Sequence, residues 1–296
     1  MIVFLNGHFV PEKRAVVSVF DRGFLYGDAL FEGMLVTRGR PFRWAEHMER
    51  LRRGMAFLQL TVSSPPDELL RHALILVKRN RMPECILRLS VTRGVTARGY
   101  SPKNAKHPAV VMTLHPAPVI TKMPHWRVVT ASFRLPANDP LTRFKTANKL
   151  PQVLARAEAD AAGAQEAILL NTDGRLAEGT TSNLFWIKEG AVCTTALPDG
   201  ALPGVTRGVV LGLCSEMKIS CKEKRAWPRE LRQSDGAFLT MTSMGVVEID
   251  SLDGRKLKRS PLVGKLWSAY RNLLETDEFC GDSHCRRWRR RIGCGP

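Results

Sequence analysis

The chain opens with two short apolar runs, IVFL and HFV, set around Asn6-Gly7, a residue pair that closes tight hairpins. A second hairpin is expected in LFEGMLVTRGRPF, turning at Arg38-Gly39. The period then changes. In AEHMERLRRGMAFLQL, Met48, Leu51, Met55 and Leu58 return at helical intervals, with Arg50 left off that stripe. Pro65-Pro66 predicts the start of a further helix through DELLRHALILVKRN. CILRLSVT and AVVMTLH, both rich in β-branched residues, read as strands.

HPAPVITKMP, residues 115–124, is the proline-rich break in mid-chain, and the lobe boundary is placed there. Beyond it WRVVTA reads as a strand, and PQVLARAEADAAG as a helix with Pro151 near its start and Gly163 as its stop. EAILL, TSNLFWI and AVCTT, separated by turns at Asp173-Gly174 and Glu189-Gly190, predict a strand meander. The expected division is therefore a lobe over residues 1–115, a linker over 116–124, a larger lobe over 125–275 and a basic tail over 276–296.

Composition narrows the function. The 296 residues suffice for a full hydrophobic core, and 44% of them are apolar, as in ordinary globular chains. No apolar run is long enough to cross a bilayer, and the N-terminal stretch lacks a basic leader, so no membrane partner is expected. Seven scattered cysteines, without a paired framework, point to a reducing, cytoplasmic setting. Cys280, His284, Cys285 and Cys294 match no zinc spacing, so no metal is expected. The net charge of +17 is concentrated in one place only, the five arginines of CRRWRRR, residues 285–291. A solvated arm is favoured there over a nucleic-acid contact, because the run carries no groove-reading fold; a nucleic-acid-binding protein on an inactive enzyme scaffold is the remote alternative.

Three stretches carry candidate chemistry. RFKTANKL places Lys145 just ahead of a helix, among Arg143 and Lys149; read alone it is a surface cation or an amine whose pKa neighbouring cations depress. LPGVTRGVVLGL opens a long apolar helix at Gly204 and Thr206, which leaves free N–H groups and a hydroxyl at its positive end, as an anion site or an ordinary cap. LAEGTTSNLF places Glu178 at the head of a small-residue run, facing solvent or a partner.

Lysine, then acid, then Gly-Val-Thr-Arg resembles the fold-type IV pyridoxal-phosphate enzymes, the class IV aminotransferase family. The likeness runs from about residue 2 to residue 275, through DRGFLYGDALFEG, EHMERL, VTRG, KTANKL, AEGTTSNLF, LPGVTR and FLTMTSMG. It implies an α+β fold of two lobes, a small α/β lobe and a larger one with a barrel-like sheet, with pyridoxal 5′-phosphate at their junction. A homodimer whose second subunit completes the site is implied as well. By its motif, Lys145 matches the lysine that holds the cofactor aldehyde as a Schiff base and then shuttles a proton. Glu178 matches the acid at the pyridine nitrogen, where a carboxylate favours the protonated, more electron-accepting ring. Arg50 matches the phosphate-binding arginine, whose planar fork suits phosphate oxygens. Val205 and Thr206, with Thr242 of LTMTS, match the rest of the phosphate cup. Phe31, Arg98, Tyr100 and Met241 are expected to line the substrate pocket.

The reaction divides two ways within the resemblance. RGVTARGY and MTSMGVV look most like 4-amino-4-deoxychorismate lyase, which releases pyruvate and 4-aminobenzoate. LFEGM, with Gly33 where the lyases tend to carry threonine, looks like the branched-chain aminotransferases, and Phe31 departs from the tyrosine of the D-amino-acid enzymes. Transfer of an amino group between an amino acid and a 2-keto acid is the favoured expectation.

Overall fold

The structure is a computed structural model that describes residues 1–276 apart from 63 and 106. The arginine run and Cys280, His284, Cys285 and Cys294 lie outside the described residues. In the first lobe the elements are β1 (Ile2–Leu5), β2 (His8–Pro11), α1 (Arg22–Tyr26), β3 (Ala29–Thr37), β4 (Arg40–Pro41), α2 (Trp44–Leu58), α3 (Pro66–Asn80), β5 (Cys85–Thr92) and β6 (Val110–Pro116). Their strands form one antiparallel sheet in the order β2-β1-β6-β5-β3-β4. Both expected hairpins are present, with Asn6 and Arg38 at positive φ in their turns.

Strand β3 alternates in burial. Leu30, Met34 and Val36 point into a core shared with Met48 and Leu51 of α2 and with Leu69, Ala73 and Leu76 of α3. Glu32 occupies the same inward register, a charge at an apolar position. Helix α2 follows the expected stripe, but Arg50, off that stripe, is also buried.

The larger lobe continues with β7 (His125–Leu135), α4 (Leu150–Ala161), β8 (Glu166–Asn171), β9 (Leu176–Gly179), β10 (Asn183–Lys188), β11 (Ala191–Thr195), α5 (Val205–Glu216), β12 (Cys221–Lys224), α6 (Pro228–Arg232), β13 (Gly236–Met241), β14 (Gly245–Leu252), β15 (Arg255–Lys256) and α7 (Pro261–Thr276). Its mixed sheet runs β12-β11-β10-β13-β14-β7-β8-β9, with β15 beside β14. β9 comes back against β10 and β11, so the sheet curls into a half-barrel. Helices α5 and α7 pack on it around Phe185, Phe238, Leu266 and Tyr270, and α4 packs through Ala155 and Ala159. No helix among the described residues is long and apolar enough to cross a membrane.

Several contacts join the lobes, including the Phe42–Tyr270 ring pair and Arg38 donating to the carbonyls of Leu274 and Glu275. Residues 145–147 run alongside the start of β3: Phe31 N donates to Lys145 O and Ala147 N to Ala29 O, both at 2.9 Å. Arg50 of α2 donates across to the carbonyl of Pro203, at 3.1 Å, just before α5.

Candidate active site

Lys145 leaves the short turn at Pro140–Arg143 and is pinned by that backbone pairing to β3. Its Nζ lies 4.7 Å from the centre of the Phe31 ring. Burial, and then the positive charges of Arg50 and Lys149, outweigh the pull of Glu32 and Glu178 and bring the amine down to about 8. Lys149 is lowered for the same first reason, its burial. An amine so placed has a nucleophilic, unprotonated fraction near neutrality.

Glu178, at the end of β9, moves the other way. Burial raises it to about 7, against the Leu202 N–H and the Lys149 and Lys145 charges. Its Oε2 accepts from Leu202 N at 2.8 Å and from Asn183 Nδ2 at 3.4 Å. The same Asn183 amide donates to Leu202 O at 2.8 Å, which ties the acid to the loop leading into α5.

That helix begins at Val205 with Gly204 as its N-cap, and no side chain caps it. A Cβ at Gly204 would stand 2.0 Å from Asn183 Oδ1, so any side chain there would push the Asn183 amide aside. Val205 and Thr206 are buried in the first turn, where backbone N–H groups have no partner within the helix. Thr206 hydrogen-bonds Tyr270, whose hydroxyl burial pushes up to about 12. Thr242 lies half-buried in the turn between β13 and β14. Thr240, opposite Asn183 in the sheet, keeps a buried hydroxyl with no partner.

Arg50 is more heavily committed than its motif suggests. Its Nε and Nη2 donate to Glu32 Oε1 and Oε2 at 2.8 and 2.6 Å. Burial works to raise Glu32, yet the Arg50 charge and hydrogen bonds, joined by His47, hold it at about 2. A carboxylate so ionised only accepts, so His47 Nδ1–H is the donor in their 2.7 Å contact; burial lowers the imidazole and keeps it neutral.

The expected pocket residues separate. Phe31 stands beside the lysine, and Arg88, from β5, places its guanidinium 3.9 Å from the same ring centre. Burial lowers Arg88, and it has no ion pair among the described residues. Arg98 and Tyr100 lie on an exposed loop that Arg22 holds, donating to the carbonyls of Gly99, Tyr100 and Ser101 at 2.9 to 3.2 Å. Tyr100 leans on Tyr26, not on the lysine. Met241 packs in the core of the larger lobe with Trp186 and Leu239, because the last position of β13 faces inward. A cavity of about 460 Å³ opens alongside, lined by Phe24, Gly27 and residues 147–151, and does not include Lys145 or Glu178.

Sequence reading missed Glu32, His47, Arg88 and Asn183. A period-2 strand with a carboxylate at an inward position was signal enough for Glu32. The other three carry no such mark.

Fold and site together are those of an enzyme, with a lysine amine, an acid and an uncapped helix start near the lobe junction. The chain belongs to the amino-transferase class IV family, whose sequence pattern matches residues 29–252. A Methanocaldococcus jannaschii relative with a provisional branched-chain-amino-acid aminotransferase name is 36% identical over 86% of this chain and 89% of its own. The aminodeoxychorismate lyase of Bacillus subtilis (strain 168) is 28% identical over 85% and 87%. Among solved structures, the branched-chain amino acid aminotransferase of T.th. complexed with N-(5′-phosphopyridoxyl)-L-glutamate superposes with a TM-score of 0.85, at 28% identity and 97% coverage of both chains. The family's cofactor is pyridoxal phosphate. The donor set here fits it: a lowered lysine, a raised acid, an uncapped helix start and an orphaned threonine hydroxyl.

Proposed function

We propose that the protein transfers an amino group between an amino acid, branched-chain in the first instance, and a 2-keto acid, with Lys145 as the catalytic amine. The observation that carries this is the opposed tuning of Lys145 to about 8 and Glu178 to about 7, at the two sides of one site. Bound pyridoxal phosphate supplies the electron sink that makes loss of a proton from the substrate Cα feasible. Lys145 Nζ takes that proton, and its partly neutral state at physiological pH suits it to do so. Glu178, backed by Leu202 N–H and Asn183, would hold the proton of the ring nitrogen. Val205, Thr206 and Thr242 would hold the phosphate through N–H groups and hydroxyls. Arg50 adds the part of its donor fork that Glu32 and Pro203 leave unused.

Phe31 excludes water beside the amine, and Arg88 offers a cation to a substrate carboxylate. An exposed apolar strip supports a homodimer: Phe20, Phe24, Leu150 and Val153 face solvent in the single chain. The lobe boundary at residues 116–124 and a cytoplasmic setting complete the reading.

Borohydride reduction of the holoprotein followed by peptide mapping tests it. The label is expected on Lys145 and is absent in Lys145→Ala, whose turnover falls on the order of a thousandfold. A label elsewhere overturns the assignment. Prompt release of 4-aminobenzoate from aminodeoxychorismate, with no amino acceptor present, would replace amino transfer by the lyase reaction.

A further inference from the structure

Glu166, on β8, is fully buried and stands apart from the groups assigned so far to the cofactor and the substrate. Its Oε1 accepts from Ala167 N at 2.9 Å, from Thr180 N at 3.1 Å and from the Thr180 hydroxyl. Its Oε2 accepts from Thr181 N at 3.2 Å and from the hydroxyls of Thr181 and Ser182 at 3.1 Å. No cation pairs with it among the described residues. A buried carboxylate without a cation is tolerated only when donors saturate it, and here nearly all of them come from one turn.

That turn joins β9 to β10, so its shape decides where the flanking residues stand. Glu178 precedes it and Asn183 follows it. Gly179 N donates to Ser182 O at 2.7 Å and closes the turn. A Cβ at Gly179 would come within 2.2 Å of Ser182 Oγ and 3.1 Å of Glu166 Oε2, so a side chain there would displace the Ser182 hydroxyl from Glu166. Asn183 then reaches both Glu178 and Leu202.

We propose that Glu166 is a positioning residue: by clamping the turn at residues 180–182, it fixes the Glu178 carboxylate and the Asn183 amide against the cofactor ring and the start of α5. The inference rests on the cofactor reading above. Glu166 touches no reacting atom itself. A second consequence is electrostatic, because its negative charge adds to the burial that pushes Glu178 upward.

The test uses 4′-deoxypyridoxine 5′-phosphate, which keeps the ring nitrogen and the phosphate but cannot bond to Lys145. Its dissociation constant is measured by fluorescence quenching across a range of pH. Glu166→Gln is expected to weaken binding about tenfold, as one strong acceptor is lost. The pH at which affinity changes should also move down, since Glu178 loses a negative neighbour. Thr181→Val, which removes a single donor, is expected to weaken binding roughly threefold without that pH shift. A merely structural role would lower the thermal midpoint and leave both readings unmoved, and that result overturns the proposal. If Glu166→Gln yields no soluble protein, Thr181→Val decides alone: binding equal to the parent's sinks the idea. Failure of the parent chain to bind the analogue overturns the cofactor reading and this inference together, whereas parental binding with indifferent variants overturns only the inference.

Discussion

Two carboxylates, Glu32 buried and Glu178 half-buried, stand on either side of the lobe junction, and they sit at opposite ends of the carboxylate range. Burial works to raise both. Glu32 is nevertheless held at about 2, because Arg50 grips both of its oxygens and His47 adds a third donor. Glu178 rises to about 7, because its donors are a backbone N–H and an amide, and Lys149 and Lys145 act on it only through their charge. Partners, and not depth, set the charge state. Glu32 is built to stay ionised and to hold a guanidinium in place; Glu178 is left able to take or give a proton. One is scaffold for the arginine; the other takes its part in chemistry under the proposed function.

The largest expected effects separate the two residues by readout. Glu32→Gln leaves Arg50 buried with a neutral partner, and destabilisation of about 3 to 5 kcal/mol is expected in denaturant unfolding of the apo chain. Glu178→Gln keeps an acceptor for Leu202 N–H, so its unfolding free energy should change by about 1 kcal/mol or less. Its turnover should fall roughly a hundredfold, because a neutral amide no longer favours the protonated ring. Equal destabilisation by the two substitutions would erase the distinction.

Acid titration sharpens the same comparison with a smaller effect. Glu32 has a folded value far below its ordinary 4.5, so the stability it contributes is present at neutral pH and is lost as pH falls toward about 2. For Glu178 the sign is reversed. Its folded value lies above 4.5, so the folded chain binds the extra proton and the associated stability is lost as pH rises through about 7. Lys145, depressed from 10.5 to about 8, resists charging, a penalty present below about 8 and relieved as pH climbs toward 10.5. Thermal melts of the apo chain between pH 4.5 and 7 should therefore show the parent losing stability relative to Glu178→Gln. Parallel curves would mean that Glu178 is ionised throughout.

Periodicity made most of the fold legible, since hairpins, amphipathic helices and meander each repeat on a short local scale. It could not show that β9 returns to β10, or that residues 145–147 pair with β3, because those contacts join positions far apart in the chain. The site divides along the same line. Lys145, Glu178 and the α5 start could be named from their motifs, and each sits at the end of an element where a local signal marks it. Arg50 was legible as a cation but not as half of a buried ion pair, because Glu32 lies on another element and nothing local links the two. Arg88 alternates outward on β5 like any surface arginine, and only the register of β3 against β5 brings it to Phe31.

The smallest expected effect probes how much of the reaction is decided by one missing side chain. Gly33 shares the outward face of β3 with Phe31, and a Cβ built there meets nothing within 4 Å. Gly33→Thr should therefore cost no packing, and β-branching suits a strand, so the unfolding free energy should change by less than about 1 kcal/mol. Functionally, the substitution adds a hydroxyl at the position where the lyases tend to carry threonine. It also takes up space two residues along the strand from the ring that lines the amine. Amino transfer with branched-chain substrates is expected to fall about threefold, while pyruvate release from aminodeoxychorismate rises from background. If both activities stay at parental levels, the open face of β3 does not choose between the reactions. The choice would then pass to Arg88 or to the Arg22-held loop that carries Arg98 and Tyr100.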